Sequence, residues 1–373
     1  MRYVLIAAMT IIALLLPGAA LAEETISVPA VEYDISQWQQ IWQEIPGEVR
    51  GLFGGMTPRR LIESYRIGAQ DILDGQALKN VVKNSFIQAM SGMRSIVAAV
   101  LMMSLADILV SGKEGVGEML VFCMGGLCVS LITVAVYDQF TQTIEAVDSM
   151  ARVTEATSPV LMTLIAACGS ARTAASLPAA ILMCNAVTNG FKTVLMPLIP
   201  VMCGFTAAGS ITGHSQLKAM AGLIKSLLKW SMGLMFTVFL GSMSIRNINA
   251  AGLDRAGIKA IKYAFDKSVP VVGGMISGTY DSLLAGAVVL KNAAGSAAVI
   301  LLILTILSPV INMFSTIIML RLTGTACALF SDSRISGMLE GAAESCTYMF
   351  AVCATVALMN LITISASLTA SGV

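Results

Sequence analysis

Residues 158–169 read SPVLMTLIAACG and residues 196–201 read MPLIPV, so Pro-Val dipeptides stand in or at the edge of long apolar runs. Two more copies follow, and the four form pairs separated by 41 residues (159 to 200) and 39 residues (270 to 309). Proline in a helix interior removes a hydrogen bond, which a bilayer tolerates only where neighbouring protein or a polar cavity satisfies the backbone. The pattern predicts helices that are broken inside a membrane and line a path, with candidate breaks at Pro159, Pro197, Pro200, Pro270 and Pro309.

The composition is that of a polytopic membrane protein. Of 373 residues, 56% are hydrophobic and 12% are charged, which is far more apolar than a soluble domain of this length. We therefore expect an all-α fold, a helical membrane protein with broken or re-entrant helices. A net charge of +1 and a single histidine, His214, leave no basic stripe of the kind that nucleic-acid binding requires, so no nucleic-acid partner is expected.

No motif for covalent chemistry or metal binding stands out. The eight cysteines lie in or beside apolar stretches without a Cys-x-x-Cys pair, which predicts buried thiols rather than disulfides or ligands. One histidine cannot complete a usual zinc site, and no phosphate-binding Gly-x-x-x-x-Gly-Lys-Ser/Thr loop occurs. Tyr280-Asp281 resembles half of an intramembrane protease motif, but the Gly-x-Gly-Asp half is missing around Asp107. We predict a non-enzyme without catalytic residues, metal or cofactor.

The N-terminus has the features of a secretory signal. Arg2 supplies the positive charge, residues 4–16 form the apolar core, and residues 20–22 read ALA, a cleavage site. Cleavage would place Glu23 outside the cytoplasm. The alternative is an uncleaved first membrane helix, for which an apolar core of about 13 residues is short.

The next polar stretch contains an amphipathic helix. Trp38, Ile41, Trp42 and Ile45 recur at helical spacing, and the helix is expected to end near Pro46-Gly47. The two tryptophans either sit at a membrane interface or pack inside a small helical cap.

The chain divides into six segments by this interpretation. They are a signal peptide (1–22), a polar extracytoplasmic helical region (23–90), two spans with an acidic loop (91–157), membrane repeat unit one (158–245), a basic connector (246–268) and membrane repeat unit two (269–373). The apolar runs predict spans near 90–110, 119–137, 159–175, 177–208, 222–244, 270–290, 294–320 and 347–366, and 177–208 is either one span or two half-length pieces. If each repeat unit crosses the membrane three times, the two units have opposite orientations.

The loops suggest a topology. An export signal would place the acidic segment 138–158 outside and the basic segment 245–268 in the cytoplasm, as the positive-inside rule requires. Lys225 and Lys229 conflict with this placement, because basic residues then flank the span 222–244 on both sides. Their long side chains can extend toward an interface, which reduces the conflict.

Three polar residues near apolar sequence are candidates for an intramembrane role: Asp281, Tyr280 and Asp107. A carboxylate at membrane depth is costly and normally faces a cavity or a partner. Asp107 lies near the end of a predicted span, which favours an interfacial position. Asp281 follows a glycine-rich stretch and either faces a cavity within a re-entrant element or lies in a loop.

The connector 246–268 alternates apolar and basic residues. This pattern is typical of a helix on an anionic cytoplasmic leaflet, and binding to a partner protein is the alternative. The basic residues of this candidate surface are Arg246, Arg255, Lys259, Lys262 and Lys267.

The order of these features resembles one known family. The most characteristic stretches are 158–169, 196–200 (MPLIP) and 265–274 (FDKSVPVVGG). Taken with the export signal and the polar extracytoplasmic region, they resemble the stage III sporulation protein AE family of endospore-forming bacteria over essentially the whole chain.

The resemblance implies a multi-pass protein of the mother-cell membrane that surrounds the forespore. Its implied partners are the other stage III A operon proteins, including ATPase-like and ring-forming members, and the lipid bilayer. The implied role is a permease-like component of a transport or secretion complex that is needed for forespore sigma factor G activity. An autonomous ion-coupled transporter and a purely structural scaffold remain alternatives.

Overall fold

The computed structural model describes residues 36–45, 47–50, isolated positions between 57 and 102, 116–168, 170–268, 273–330 and 333–369. It describes the backbone only for 48–49, 116–125, 171–172, 246–268, 273–286, 329–330, 333–334 and 369. The helices in chain order are α1 (Ser36–Glu44), α2 (Gly47–Arg50), α3 (Val116–Ala167), α4 (Ala171–Gly190), a π-helical turn (Phe191–Leu195), α5 (Met196–Thr212), α6 (Ser215–Ser268), α7 (Gly273–Phe330) and α8 (Ser333–Thr369). The candidate cleavage site, Pro270 and Asp107 lie outside the described residues.

The predicted helical membrane fold is confirmed. The described part of the chain contains no strand, and five of its helical segments are long and apolar enough to cross a membrane. They are Gly126–Ala167, Thr173–Thr212, Ser215–Ile245, Ala287–Ala328 and Ile335–Leu368.

Several predicted boundaries are different in the structure. The acidic segment 138–158 is helical within α3, not a loop, because an apolar stripe that includes Val147, Met150 and Val153 packs into the core. From Gly273 onward, the predicted spans 270–290 and 294–320 belong to one helix, α7. The connector 246–268 continues the backbone of α6.

The predicted helix breaks are also corrected. Helix continues through Pro159 in α3, Pro200 in α5 and Pro309 in α7. The irregular backbone is instead the π-helical turn Phe191–Leu195, which precedes Pro197 at the start of α5. Prolines are tolerated in membrane helices where neighbouring helices and local π adjustments satisfy the backbone, so a proline need not end a helix.

The inverted repeat stays a prediction, and the described residues contain two candidate spans in each of its units. Unit one, 158–245, contains the candidate spans Thr173–Thr212 and Ser215–Ile245. Unit two contains Ala287–Ala328 and Ile335–Leu368. Two crossings in each unit would return the chain to the side where it began, so opposite orientation does not follow from the count.

α8 lies at the centre of the helix bundle. It packs against α7, α3 and α5, and Met349, Val352, Cys353 and Val356 have no exposed surface. α6 lies outside, against α4 and α5, and leaves large apolar side chains such as Leu223 and Trp230 mostly exposed. An apolar exterior of this kind is what a bilayer covers.

A tight turn separates α5 from α6. Gly213 has φ of 71°, a left-handed conformation that glycine adopts without strain and that commonly ends a helix. The chain therefore reverses at Gly213-His214, and the last turn of α5 packs against the first turn of α6, where Gly209 approaches Lys218.

Candidate functional site

The segment 142–155 of α3 forms polar contacts with four other helices, and we call this set of contacts the polar seam. Its first member is an ion pair between Asp148 and Lys192. Lys192 lies in the π-helical turn between α4 and α5, and both side chains are partly buried. π-helical turns are frequent at functional sites, because the inserted residue redirects the side chains around it.

A buried amide forms the centre of the polar seam. Asn360 of α8 is fully buried, and its Oδ1 accepts a 2.6 Å hydrogen bond from Thr154 Oγ1 of α3. The Cys184 thiol of α4 donates to the same oxygen at 3.7 Å, and Asn360 Nδ2 donates to the Val356 carbonyl at 2.8 Å. Asn360 thus connects three helices, which is how polar side chains hold membrane helices together.

Two further contacts extend the seam. Asn185 Nδ2 of α4 donates a 2.6 Å hydrogen bond to Glu155 Oε1 of α3. Asn312 Nδ2 of α7 donates a 2.5 Å hydrogen bond to Gln142 Oε1 of α3. Beside the second pair, an open cleft of about 280 Å³ lies between α1, α3 and α7.

α1 packs against α3 at the polar seam. Trp38 is 1% exposed, and its Nε1 donates a 3.0 Å hydrogen bond to the carbonyl of Ala156. Pro159 cannot donate to the carbonyl of Glu155, so this turn of α3 has an acceptor without its usual intrahelical donor. Glu44 at the end of α1 forms a 3.2 Å ion pair with Arg152, but both side chains are mostly exposed and the pair stabilises little.

Small residues allow α5 and α8 to pack closely. Gly337 and Gly341 are four residues apart on one face of α8, and they face Ser210 and Thr206 of α5. A Cβ atom at Gly341 would lie 2.6 Å from Thr206 Cγ2, which is too close for any real contact. This is the spacing with which small residues let membrane helices approach. Next to this contact, Lys225 of α6 forms an ion pair with Glu344 of α8.

Comparison with known proteins identifies the family. The family model of stage III sporulation protein AE matches residues 56–371, which is most of the chain. The chain belongs to the stage III sporulation protein AE family. The family membership that the sequence predicted is therefore confirmed, and with it a sporulation role for a protein with membrane-length helices.

A curated AE protein is also similar. Stage III sporulation protein AE of Bacillus subtilis (strain 168) is 25% identical over 227 residues, which cover 61% of this chain and 57% of the relative. The match thus spans little more than half of that relative's length. No solved structure matches the chain.

The prolines that were predicted to line a path in this AE-family chain do not share one environment in the structure. Pro159 and Pro197 are exposed, whereas Pro200 and Pro309 are half-buried. Pro309 lines the cleft, and the other three predicted prolines that the structure describes do not. Their role in lining a path stays a prediction.

The remaining predicted positions are described only by their backbone or not at all. Tyr280 and Asp281 lie within α7, so Asp281 is neither in a loop nor in an interrupted segment. The five basic residues of the connector lie within α6. Side chains at these seven positions, and Asp107 altogether, lie outside the described part of the AE-family chain.

Sequence reasoning missed the polar residues that the structure brings together. Lys192 lies in the middle of the predicted span 177–208. A lysine inside an apolar run indicates a candidate functional position, so the sequence does contain a signal for this residue. Lys291 falls between two predicted spans, so its sequence position does not indicate burial. In the structure it is 2% exposed, and its Nζ donates a 2.8 Å hydrogen bond to the Leu368 carbonyl near the end of α8. Asn360 is a polar residue inside a predicted span, but its local sequence does not indicate that Thr154 is its hydrogen-bond partner.

Proposed function

We propose that the protein is a non-enzymatic, permease-like membrane component of a sporulation transport or secretion complex between mother cell and forespore. In this role it would support forespore sigma factor G activity together with the other stage III A operon proteins, including ATPase-like and ring-forming members. It would reside in the mother-cell membrane around the forespore. Membership of the AE family and five membrane-length helices support this proposal.

The observation that carries the proposal furthest is the Asp148–Lys192 ion pair. The ion pair holds the π-helical turn against α3. This turn joins α4 and α5, which both contain proline. Ionisable groups at such positions are rare in membrane proteins and usually mark paths or moving elements. We infer that α4 and α5 shift relative to α3 when the complex works.

An allelic replacement in a sporulating host tests this proposal. Asp148→Ala should abolish most sigma factor G reporter activity while the protein still accumulates in the membrane fraction. Asp138→Ala is the matched control, because Asp138 is an exposed carboxylate on the same helix that forms no described ion pair. Reporter activity at the wild-type level in the Asp148→Ala strain would contradict a working role for this contact.

The same ion pair also favours the alternative of an autonomous ion-coupled transporter. The purified chain in liposomes would then move protons or ions without partners, and Asp148→Asn or Asp281→Asn would abolish that movement. A component of a larger complex would be inactive alone. A purely structural scaffold would tolerate both substitutions in cells and assemble normally.

A further inference from the structure

The cleft between α1, α3 and α7 has the dimensions of a small ligand site, a property beyond the proposed function and independent of it. Its volume of about 280 Å³ is near the lower limit for small-molecule pockets, which begin at roughly 300 Å³. Its polar lining includes Glu44, Glu145, Ser149, Thr305 and Asn312. Gln142 and Ser308 also line the cleft, so it offers hydrogen-bond donors as well as acceptors, and its two charged lining residues are both carboxylates.

Two hydroxyl groups in the cleft have already used their protons. Thr305 Oγ1 donates to the Leu301 carbonyl at 2.8 Å, and Ser149 Oγ donates to the Glu145 carbonyl at 2.8 Å. A hydroxyl carries one proton, so each of these oxygens can offer only lone pairs to a ligand, and Ser149 Oγ already accepts one 2.9 Å hydrogen bond from Arg152. Asn312 likewise uses one of its two N–H groups on Gln142.

Pro309 adds another acceptor to the same wall. Proline has no backbone N–H, so it cannot donate to the carbonyl of Thr305, four residues earlier in α7. Both residues line the cleft. The Thr305 carbonyl thus lacks the N–H that usually donates to it in a helix.

The charge of the cleft is negative. Glu44 and Glu145 line it, and no lysine or arginine is among the lining residues. Arg152 is not a lining residue, but at the edge of the cleft it pairs with Glu44 and donates a hydrogen bond to Ser149. Glu145 is exposed and has no ion-pair partner in the described part of the chain. A ligand that supplies positive charge and hydrogen-bond donors would complement Glu145 and the neighbouring oxygens.

We propose that this cleft binds an organic cation with N–H donors, namely a primary ammonium or a guanidinium group. Glu145 provides the charge, Glu44 closes the site from α1, and the oxygens of Ser149 and Thr305 accept hydrogen bonds. The group belongs either to a free small amine or to a lysine or arginine side chain of a protein partner. Both sources share the same chemistry at the site.

Calorimetric titration of the full chain in lipid nanodiscs tests the site. Putrescine is the probe, and 1,4-butanediol, of similar length but uncharged, is the comparison. Putrescine should bind and the diol should not, and Glu145→Gln should weaken putrescine binding by about tenfold or more because it removes the unpaired charge. Asp138→Asn is the matched control on the same helix and should change the affinity by less than about twofold.

A second titration with acetylated tetralysine amide separates the two sources. Tighter binding of tetralysine than putrescine, with the same sensitivity to Glu145→Gln, assigns the site to a side chain of a basic partner. Tighter binding of putrescine assigns it to a free amine. The proposal is overturned if neither probe binds, if the diol binds equally well, or if Glu145→Gln and Asp138→Asn weaken binding to the same extent. Thermal unfolding of each variant establishes that it is folded.

Discussion

Thr154 Oγ1 of α3 donates a 2.6 Å hydrogen bond to Asn360 Oδ1 of α8, across 206 residues of sequence. Both side chains are buried, and the Cys184 thiol of α4 reaches the same oxygen. In a bilayer, apolar side chains gain little from leaving lipid, so such polar contacts and close packing select which helices associate. This contact thereby fixes the relative positions of α3, α4 and α8.

Replacing Thr154 by valine should destabilise the helix bundle. Thr154→Val keeps the side-chain shape but leaves the buried Asn360 oxygen with only a weak thiol donor, so we expect a loss of about 1 to 2 kcal/mol. Denaturation in mixed micelles, followed by circular dichroism, measures the change. Thr355→Val is the control, since Thr355 donates only within its own helix, to Ala351, and it should cost less than about 0.5 kcal/mol. Equal effects of the two substitutions would contradict the importance of the Thr154–Asn360 contact.

A methyl group at Gly341 should force α5 and α8 apart. The new Cβ would lie 2.6 Å from Thr206 Cγ2 and 3.0 Å from Thr206 Cβ, so Gly341→Ala should destabilise by about 1 to 3 kcal/mol. Adding Thr206→Ala removes the closer atom and should restore part of the loss.

Gly233→Ala on α6 is the matched glycine control. No atom lies within 4 Å of its added methyl group, and alanine is the better helix former, so stability should stay the same or rise by up to about 1 kcal/mol. If Gly233→Ala lowered stability as much as Gly341→Ala, close packing of α5 on α8 would not be the cause.

A disulfide should form between α5 and α8 when Ser210 and Gly337 are both replaced by cysteine. An ideal Cβ at Gly337 lies 3.3 Å from Ser210 Cβ, slightly below the roughly 3.5 to 4.5 Å that disulfides span. After oxidation and cleavage between α6 and α7, the two fragments should stay joined until reductant is added. Ser210→Cys alone is the control, because it leaves only the native cysteines of the other fragment, such as the buried Cys346 and Cys353, as possible partners. Fragments that separate without reductant would place α5 and α8 apart.

Trp38→Phe should loosen α1 from α3. Phenylalanine retains most of the buried apolar surface but loses the N–H that donates to Ala156, so the docking of α1 should weaken by about 1 kcal/mol. Hydrogen exchange of residues 36–45 should accelerate several-fold, with little change in α8. Trp42→Phe is the control, because Trp42 is also buried but forms no described hydrogen bond. A change that is larger for Trp42→Phe would mean that apolar packing, not the indole N–H, holds α1 in place.

Local patterns in the sequence were sufficient for part of the fold. The apolar runs predicted membrane helices, and the spacing of Trp38, Ile41 and Trp42 predicted α1 with nearly its observed end. The same local patterns predicted helix breaks at Pro159 and Pro309, where the helices in fact continue. Whether a helix continues through a proline depends on neighbouring helices, which a single segment of sequence does not reveal. The sequence predicts a loop for the acidic segment of α3, because charged residues separate the apolar residues that form its buried stripe.

The sequence by itself determined that the chain is a helical membrane protein of the AE family, because hydrophobicity, helical period and the characteristic proline-containing stretches are properties of neighbouring residues. Only the tertiary structure decided which polar residues meet: Thr154 with Asn360, Asp148 with Lys192, and Gln142 with Asn312, and that Glu145 lines a cleft with Glu44. The physical reason is that each contact joins helices far apart in sequence. Whether two such side chains face each other depends on the rotation and offset of whole helices, which packing of the complete bundle sets.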